Sequence, residues 1–221
     1  MKKSLILGAV LTAVVASPAF AQKAGSWSAS VGVTQIAPDV DSGNLSAPSL
    51  PGTKVDVSNN TQLTGAINYA LTDNIVINTP LGFGFKHKVT GAGAIAGVGV
   101  IGTTKALPVT VLGQYRFGAA NATFRPFVGA GLSYVVFYKE TGTAVLTAIT
   151  NPGGPATTLR FKDKLAPTFQ LGAIYNINDR WYVEGNYTKT FLKTVGTLST
   201  GQTLSTKLNP NGYTLQVGYK F

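Results

Sequence analysis

Cysteine is absent from the 221-residue chain, which excludes a disulfide scaffold and thiolate chemistry. Histidine occurs once, at His87, too few for a zinc site in a chain without cysteine. Charge is sparse at 12% of residues, and acid is sparser still: 8 Asp and Glu against 18 Lys and Arg. Long apolar runs are missing as well. Beyond the N-terminal segment nothing approaches the roughly 20 apolar residues that a membrane-crossing helix needs.

What is present begins with Lys2 and Lys3, an apolar stretch from Leu5 to Val15 and the small residues of "SPAFA". This is the pattern of a secretory signal peptide over residues 1–21, cut between Ala21 and Gln22. Without Lys2 and Lys3, 16 basic residues face 8 acidic ones, a net charge of +8. For an exported chain the expected counter-charges are anionic lipid headgroups, not nucleic acid. The 26 Gly, 9 Tyr and 11 Phe suit strands and turns better than helices.

Period-two alternation recurs in eight segments. Their apolar faces carry Trp27, Val31 and Val33; Leu63, Ile67 and Tyr69; Ile75, Ile77, Leu81, Phe83 and Phe85; Val109, Val111, Tyr115 and Phe117; Phe124, Val128, Leu132 and Tyr134; Phe169, Leu171 and Tyr175; Trp181, Val183 and Tyr187; and Tyr213, Leu215, Val217, Tyr219 and Phe221. The opposite faces are small or polar, and aromatics gather at strand ends. Connections after the second, fourth and sixth segments are short. The others are long, at about 38–60, 87–106, 139–165 and 193–207. Short turns, long outer loops, an even strand count and apolar-out alternation predict an all-β chain over 22–221, an eight-stranded antiparallel up-and-down transmembrane β-barrel with four long extracellular loops. In a closed barrel the last strand, "GYTLQVGYKF", pairs with the first. Its ending on Phe221 resembles the C-terminal assembly signal of outer-membrane barrels, so the barrel assembly machinery is an expected partner.

Eight strands leave a lumen with room for side chains or one small ligand. Sorting the inward positions by height predicts an apolar outer cup of Ile36, Pro80, Leu112, Val135, Phe137, Leu192 and Leu208. Below it lies a polar floor with Gln114, Arg116, Arg125 and Glu184. Gln62, Thr64 and Lys86 are polar exceptions placed high in the lumen. Glu184 is expected to pair with Arg116 or Arg125, since an unpaired buried charge is costly. A greasy molecule gains in the cup, loses on the floor, and is expected to leave sideways. Pro80, Pro108 and Pro167, each lacking a ladder donor, mark where the outer wall could open.

The stretch "GAGAIAGVGVIG" contains a formal GxGxxG at 97–102, but no βαβ unit surrounds it, and no nucleotide or other cofactor is expected. It reads instead as a flexible apolar lid. His87, between Lys86 and Lys88, is the sole candidate base, with Asp163 and Glu140 as acids to its side. No nucleophile stands out, and no catalytic or metal site is expected. The basic outer rim faces lipopolysaccharide phosphates, toward which Lys189 can snorkel.

Four ordered motifs carry a family resemblance: "NYALTDNIVIN" (68–78), "LPVTVLGQYRF" (107–117), "RPFVGAGLSYVVFY" (125–138) and "LNPNGYTLQVGYKF" (208–221). The chain resembles the outer membrane protein W family, with Asn78 where an acidic residue is usual. The resemblance implies an eight-stranded barrel in the bacterial outer membrane. It also implies a narrow, largely apolar channel, with uptake of small hydrophobic molecules by lateral release into the membrane. The alternative is a structural or interaction barrel whose loops bind lipopolysaccharide or serve as a surface receptor.

Overall fold

The computed structural model describes residues 24–221, and the proposed signal peptide with its Ala21–Gln22 cleavage site lies outside them. The chain forms β1 (Trp27–Ala37), β2 (Asp41–Ser42), β3 (Thr53–Val57), β4 (Asn60–Ala70), β5 (Ile75–Gly82), β6 (Phe85–Gly93), β7 (Val100–Arg116) and β8 (Phe124–Gly142). After a short helix, α1 (Ala144–Thr150), follow β9 (Leu159–Phe161), β10 (Lys164–Asn176), β11 (Trp181–Thr190), β12 (Lys193–Leu198), β13 (Thr203–Lys207) and β14 (Asn211–Lys220).

Eight of these strands close on themselves in the order β7-β5-β4-β1-β14-β11-β10-β8, and β8 pairs back to β7. Every ladder is antiparallel. The first and last strands meet, with Ala29 opposite Tyr219 and Val33 opposite Leu215. Phe221 donates its N–H to the Trp27 carbonyl at 3.0 Å, so pairing runs to the final residue. Closure leaves no exposed sheet edge in the wall.

The alternation sorts as expected. Leu63, Val109, Leu132, Leu171 and Leu215 stand exposed on the outer surface, while Leu112, Arg116, Phe127 and Glu184 are buried inside. An outward apolar face of this kind is stable only against hydrocarbon. At the short-turn end aromatic rings pair on that face: Trp27 with Tyr69 (4.7 Å between centroids), Tyr115 with Phe117 (5.0 Å) and Trp181 with Tyr219 (5.0 Å). Among the described residues no helix is long and apolar enough to cross a membrane. The spanning element is the strand wall.

The long connections are folded. β6 continues the wall beyond β5, beside the outer half of β7, with β3 paired to it, and β2, β13, β12 and β9 form a second, four-stranded sheet. Between them Val89, Ile95, Ile101, Leu146, Leu159 and Leu198 form an apolar core of their own. The "GAGAIAGVGVIG" stretch therefore corrects the expectation of a flexible lid: it is the tip of the β6–β7 hairpin. Gly93, Gly97 and Gly99 take φ of +61°, +90° and +82°, a region closed to most side chains, while Ile95 and Ile101 anchor the tip inward. The glycines serve a tight turn.

One strand departs from the expected parity. Phe83 faces outward, but Gly84 interrupts the strand, and from Phe85 onward the faces exchange. Phe85, His87 and Val89 are buried while Lys86 and Lys88 are exposed. Two expectations are corrected: Phe85 does not face lipid, and Lys86 does not point into the lumen. A side chain at Gly84 would collide with Tyr138, whose hydroxyl lies 2.3 Å from an added Cβ.

Candidate functional site

The lumen holds a cavity of about 140 Å³, and its walls include all seven residues of the expected cup. Leu112 reaches it from β7, Val135 and Phe137 from β8, and Leu192 and Leu208 from the chain flanking the upper sheet. Val135, Phe137, Leu192 and Leu208 pack with Val57 and Ala166 as one apolar cluster. Phe137 and Phe161 stack with centroids 5.4 Å apart at the top.

Below this cluster, hydroxyls form a belt that simple height sorting missed. Thr34 Oγ1 lies 2.7 Å from Thr64 Oγ1 and 2.9 Å from Thr214 Oγ1. Across the lumen, Thr110, Ser133, Thr168 and Thr190 form a chain with spacings of 2.7, 2.6 and 2.9 Å. The belt draws on every stave except β5, where Pro80 and Gly82 stand at that height. The clue in the sequence was Thr or Ser recurring at inward positions in mid-strand.

The floor is a hydrogen-bonded network in which all four expected residues are buried. Arg116 Nη2 donates to Gln114 Oε1 at 2.8 Å, and Gln114 Nε2 donates to Gln170 Oε1 at 2.7 Å. Asn78 Nδ2 donates to Asn68 Oδ1 at 2.7 Å, and Asn68 Nδ2 to the Tyr182 hydroxyl at 3.3 Å. Asn68 was read from its strand as a polar inward residue at this end, whereas Gln170, Tyr182 and Lys220 were absent from the expected floor. Each of these three needed its neighbours across the barrel to be seen.

The expected ion pairing of Glu184 is corrected. Among the described residues the ion pairs are Lys189–Asp39 (3.2 Å) and Lys207–Asp41 (2.8 Å), and neither involves Glu184. Glu184 Oε1 accepts from Asn186 Nδ2 at 2.8 Å, while Oε2 has no hydrogen-bond partner. Arg125 Nη2 donates to the Asp73 carbonyl at 2.6 Å and so ties a short turn to the floor, while its Nη1 has no hydrogen-bond partner. Lys189 likewise binds Asp39, the Asn209 carbonyl and Asn211, its ammonium committed within the protein.

The wall beside the cavity is incomplete. β5 and β7 pair from Ile75↔Tyr115 to Asn78↔Leu112, and pairing resumes only at Phe85↔Ala106 in β6. Thr79–Gly84 and Leu107–Val111 face each other without a ladder, a gap of roughly 16 Å along the strand at about 3.3 Å per residue. Pro80 and Pro108 lie within it. Pro167, the third proline suspected of opening the wall, sits in an unbroken ladder opposite Leu132. Gly84 at the upper edge is served by side chains: Gln62 Nε2 donates to its carbonyl (3.1 Å), and its N–H donates to the Tyr138 hydroxyl (3.1 Å). Leu81 and Phe83, exposed on the lipid face, also line the cavity, as does Leu107. The cavity lining therefore extends into the unpaired stretch of the wall.

His87 lies above the apolar belt and lines the upper cavity. Its Nδ1 donates to the Ser58 carbonyl at 2.6 Å. Burial, not the outward-pointing Lys86 and Lys88, holds its pKa below the usual 6.5. Neither suspected acid serves it: Asp163 Oδ1 accepts from the Phe137 N–H at 2.8 Å, and Glu140 accepts from the Phe161 N–H. No histidine–acid relay is assembled. A depressed histidine pKa means the unfolded chain binds the proton more readily. The stabilisation is complete above pH 6.5 and is lost as pH falls below it. Amide exchange protection in β3 and β6, taken relative to the intrinsic rate at each pH, is expected to fall below pH 6.5, and His87→Phe to remove that dependence. Equal protection at pH 5 and pH 8 in the unmodified chain contradicts it.

The chain is 33% identical to outer membrane protein W of Vibrio cholerae serotype O1, with all of both chains covered. It is 26% identical to the dibenzothiophene metabolism operon protein PahQ of Pseudomonas aeruginosa, over 81% of this chain and 79% of that one. Among solved structures, outer membrane protein OprG from Pseudomonas aeruginosa shares the fold with a TM-score of 0.80 at 23% identity, over 90% of this chain and 97% of that one. Residues 23–221 match the OmpW family, and with its closed, lipid-facing wall the chain belongs to that family of bacterial outer-membrane β-barrels.

Proposed function

We propose that this barrel admits small hydrophobic molecules from outside the cell and releases them sideways into the outer membrane. The observation that carries the reading is the extension of the cavity lining into the unpaired stretch beside β7, where Leu81, Phe83 and Leu107 belong both to the wall and to the cavity lining. An apolar solute gains about 0.8 kcal/mol per CH2 on leaving water for such a lining. The charged floor beneath offers no comparable gain, so the side route is the favourable one. Irregular backbone at membrane depth is tolerated where it lines a cavity, which suits the unpaired stretch. PahQ, named for an operon of dibenzothiophene metabolism, points to the same class of solute. Lys86, Lys88, Lys139, Arg160 and Lys162, exposed at the outer end, suit contact with lipopolysaccharide phosphates.

The test exploits the missing cysteines. Thr79→Cys with Val111→Cys places two thiols one step above the last paired residues, Asn78 and Leu112. In proteoliposomes, oxidation is expected to reduce uptake of a fluorescent hydrocarbon to the barrel-free background, and reductant to restore it. Undiminished uptake by a fully cross-linked barrel excludes exit through this gap.

A further inference from the structure

Three side-chain oxygens in this barrel are buried without a hydrogen-bond partner and belong to residues of one cavity: Glu184 Oε2, Asn78 Oδ1 and Thr104 Oγ1. A buried acceptor left unpaired is expensive, and native proteins seldom keep one without use. Two of these are fixed as acceptors by what their other atoms do. Asn186 Nδ2 occupies Glu184 Oε1, leaving Oε2 over. Asn68 Oδ1 takes the Asn78 amide nitrogen, which assigns the remaining atom of that amide as oxygen. Both residues line the cavity, with Leu112 directly opposite Asn78 in the β5–β7 ladder.

The charges nearby narrow the head group further. A carboxylate oxygen repels an anionic head. Arg116, Arg125 and Lys220 are all buried at this end of the barrel, with Glu184 the one buried acid, so an ammonium is opposed as well. What fits is a neutral head with an O–H or N–H to donate.

Resting on the conduit reading above, we propose that the cavity selects amphiphiles: an apolar chain of medium length bearing a neutral hydrogen-bond-donating head, such as an alcohol or primary amide. The head donates to Glu184 Oε2 or Asn78 Oδ1, and the chain lies in the cup against Leu112, Val135 and Phe137. A pure hydrocarbon fills the cup but leaves both acceptors unpaired.

The experiment uses the mature chain in lipid nanodiscs loaded with an apolar fluorophore, displaced by octane, 1-octanol, 2-octanone, octylamine or octanoate at equal membrane concentration. Octanol is expected to displace it roughly fivefold more effectively than octane or octanone, the worth of one hydrogen bond. Octylamine and octanoate should fall behind octanol. In Glu184→Gln the amide oxygen retains the Asn186 donor and the NH2 turns to the cavity, so octanone gains a donor and the advantage of octanol over octanone should shrink. Should that variant fail to assemble, Asn78→Leu must narrow the gap between octanol and octane. Equal displacement by octane and octanol in the unmodified barrel overturns the selectivity and leaves the conduit standing. An octanol-to-octanone ratio unchanged in assembled Glu184→Gln overturns the assignment of Glu184 as acceptor. Displacement by none of the five overturns both this inference and the conduit.

Discussion

Leu112→Arg is expected to cut hydrophobic uptake about thirtyfold, because two or three CH2 groups shut out of the cavity forfeit about 2 kcal/mol of burial. Leu112 is fully buried in the cavity wall, and a guanidinium there occupies much of the space of about 140 Å³. The barrel should still assemble, since Glu184 Oε2 and Asn78 Oδ1, both unpaired in the lining of the same cavity, offset the repulsion that Arg116 and Lys220 exert on the new cation. A charge given partners escapes the penalty that an isolated one meets. The measurement is proteoliposome uptake beside a heat-modifiability check of folding on a gel. Normal uptake by a folded Leu112→Arg barrel removes the cup from the route.

The second large effect concerns the wall itself. Gly131 stands opposite Leu112 in the β7–β8 ladder, and a Cβ added there would lie 2.0 Å from the Val111 carbonyl oxygen and 2.9 Å from the Leu112 Cα. Both obstacles are backbone, so no rotamer change relieves them and the strands must part. Gly131→Ala is expected to lower the stability of the folded barrel by about 3 kcal/mol, at the high end for overpacking. Gly185 supplies the contrast: nothing lies within 4 Å of an added Cβ, and Gly185→Ala should be neutral or slightly stabilising. Urea titration in lipid vesicles, followed by the fluorescence of Trp27 and Trp181, reads both variants. Indistinguishable midpoints would refute the close approach of the two strands.

Alternation carried the fold because a strand has a period of two and the wall has two unlike solvents, lipid outside and a crowded lumen inside. Wherever a strand runs unbroken, counting by two from one known residue assigns every other. Leu112, Val135 and Phe137 were placed correctly in this way, as were Arg116 and Glu184. Counting failed at Gly84. An interruption of the strand exchanges the faces beyond it, and so Phe85 and Lys86 were assigned the wrong sides while His87 was hidden. The outer segments were misjudged for a related reason. Glycine at 93, 97 and 99 signals freedom in a chain read alone, yet in the fold it answers a turn whose tip is pinned by Ile95 and Ile101.

The floor shows the same division. Height and polarity were legible from single strands, but hydrogen-bond partners come from other strands and depend on distances across the lumen. Arg116 meets Gln114 and Asn68 there, and one oxygen of Glu184 is left facing the cavity.

The amino-acid order by itself determined that eight strands would form the wall, which face of each unbroken strand meets lipid, and which half of the lumen is greasy. Those follow from local period and from the transfer of side chains between two media. Only the tertiary structure decided where the wall stays open, which acceptors remain unpaired and how the outer segments fold. Each of these depends on the register between neighbouring strands, and register is set by closure of the whole ring rather than by any strand alone.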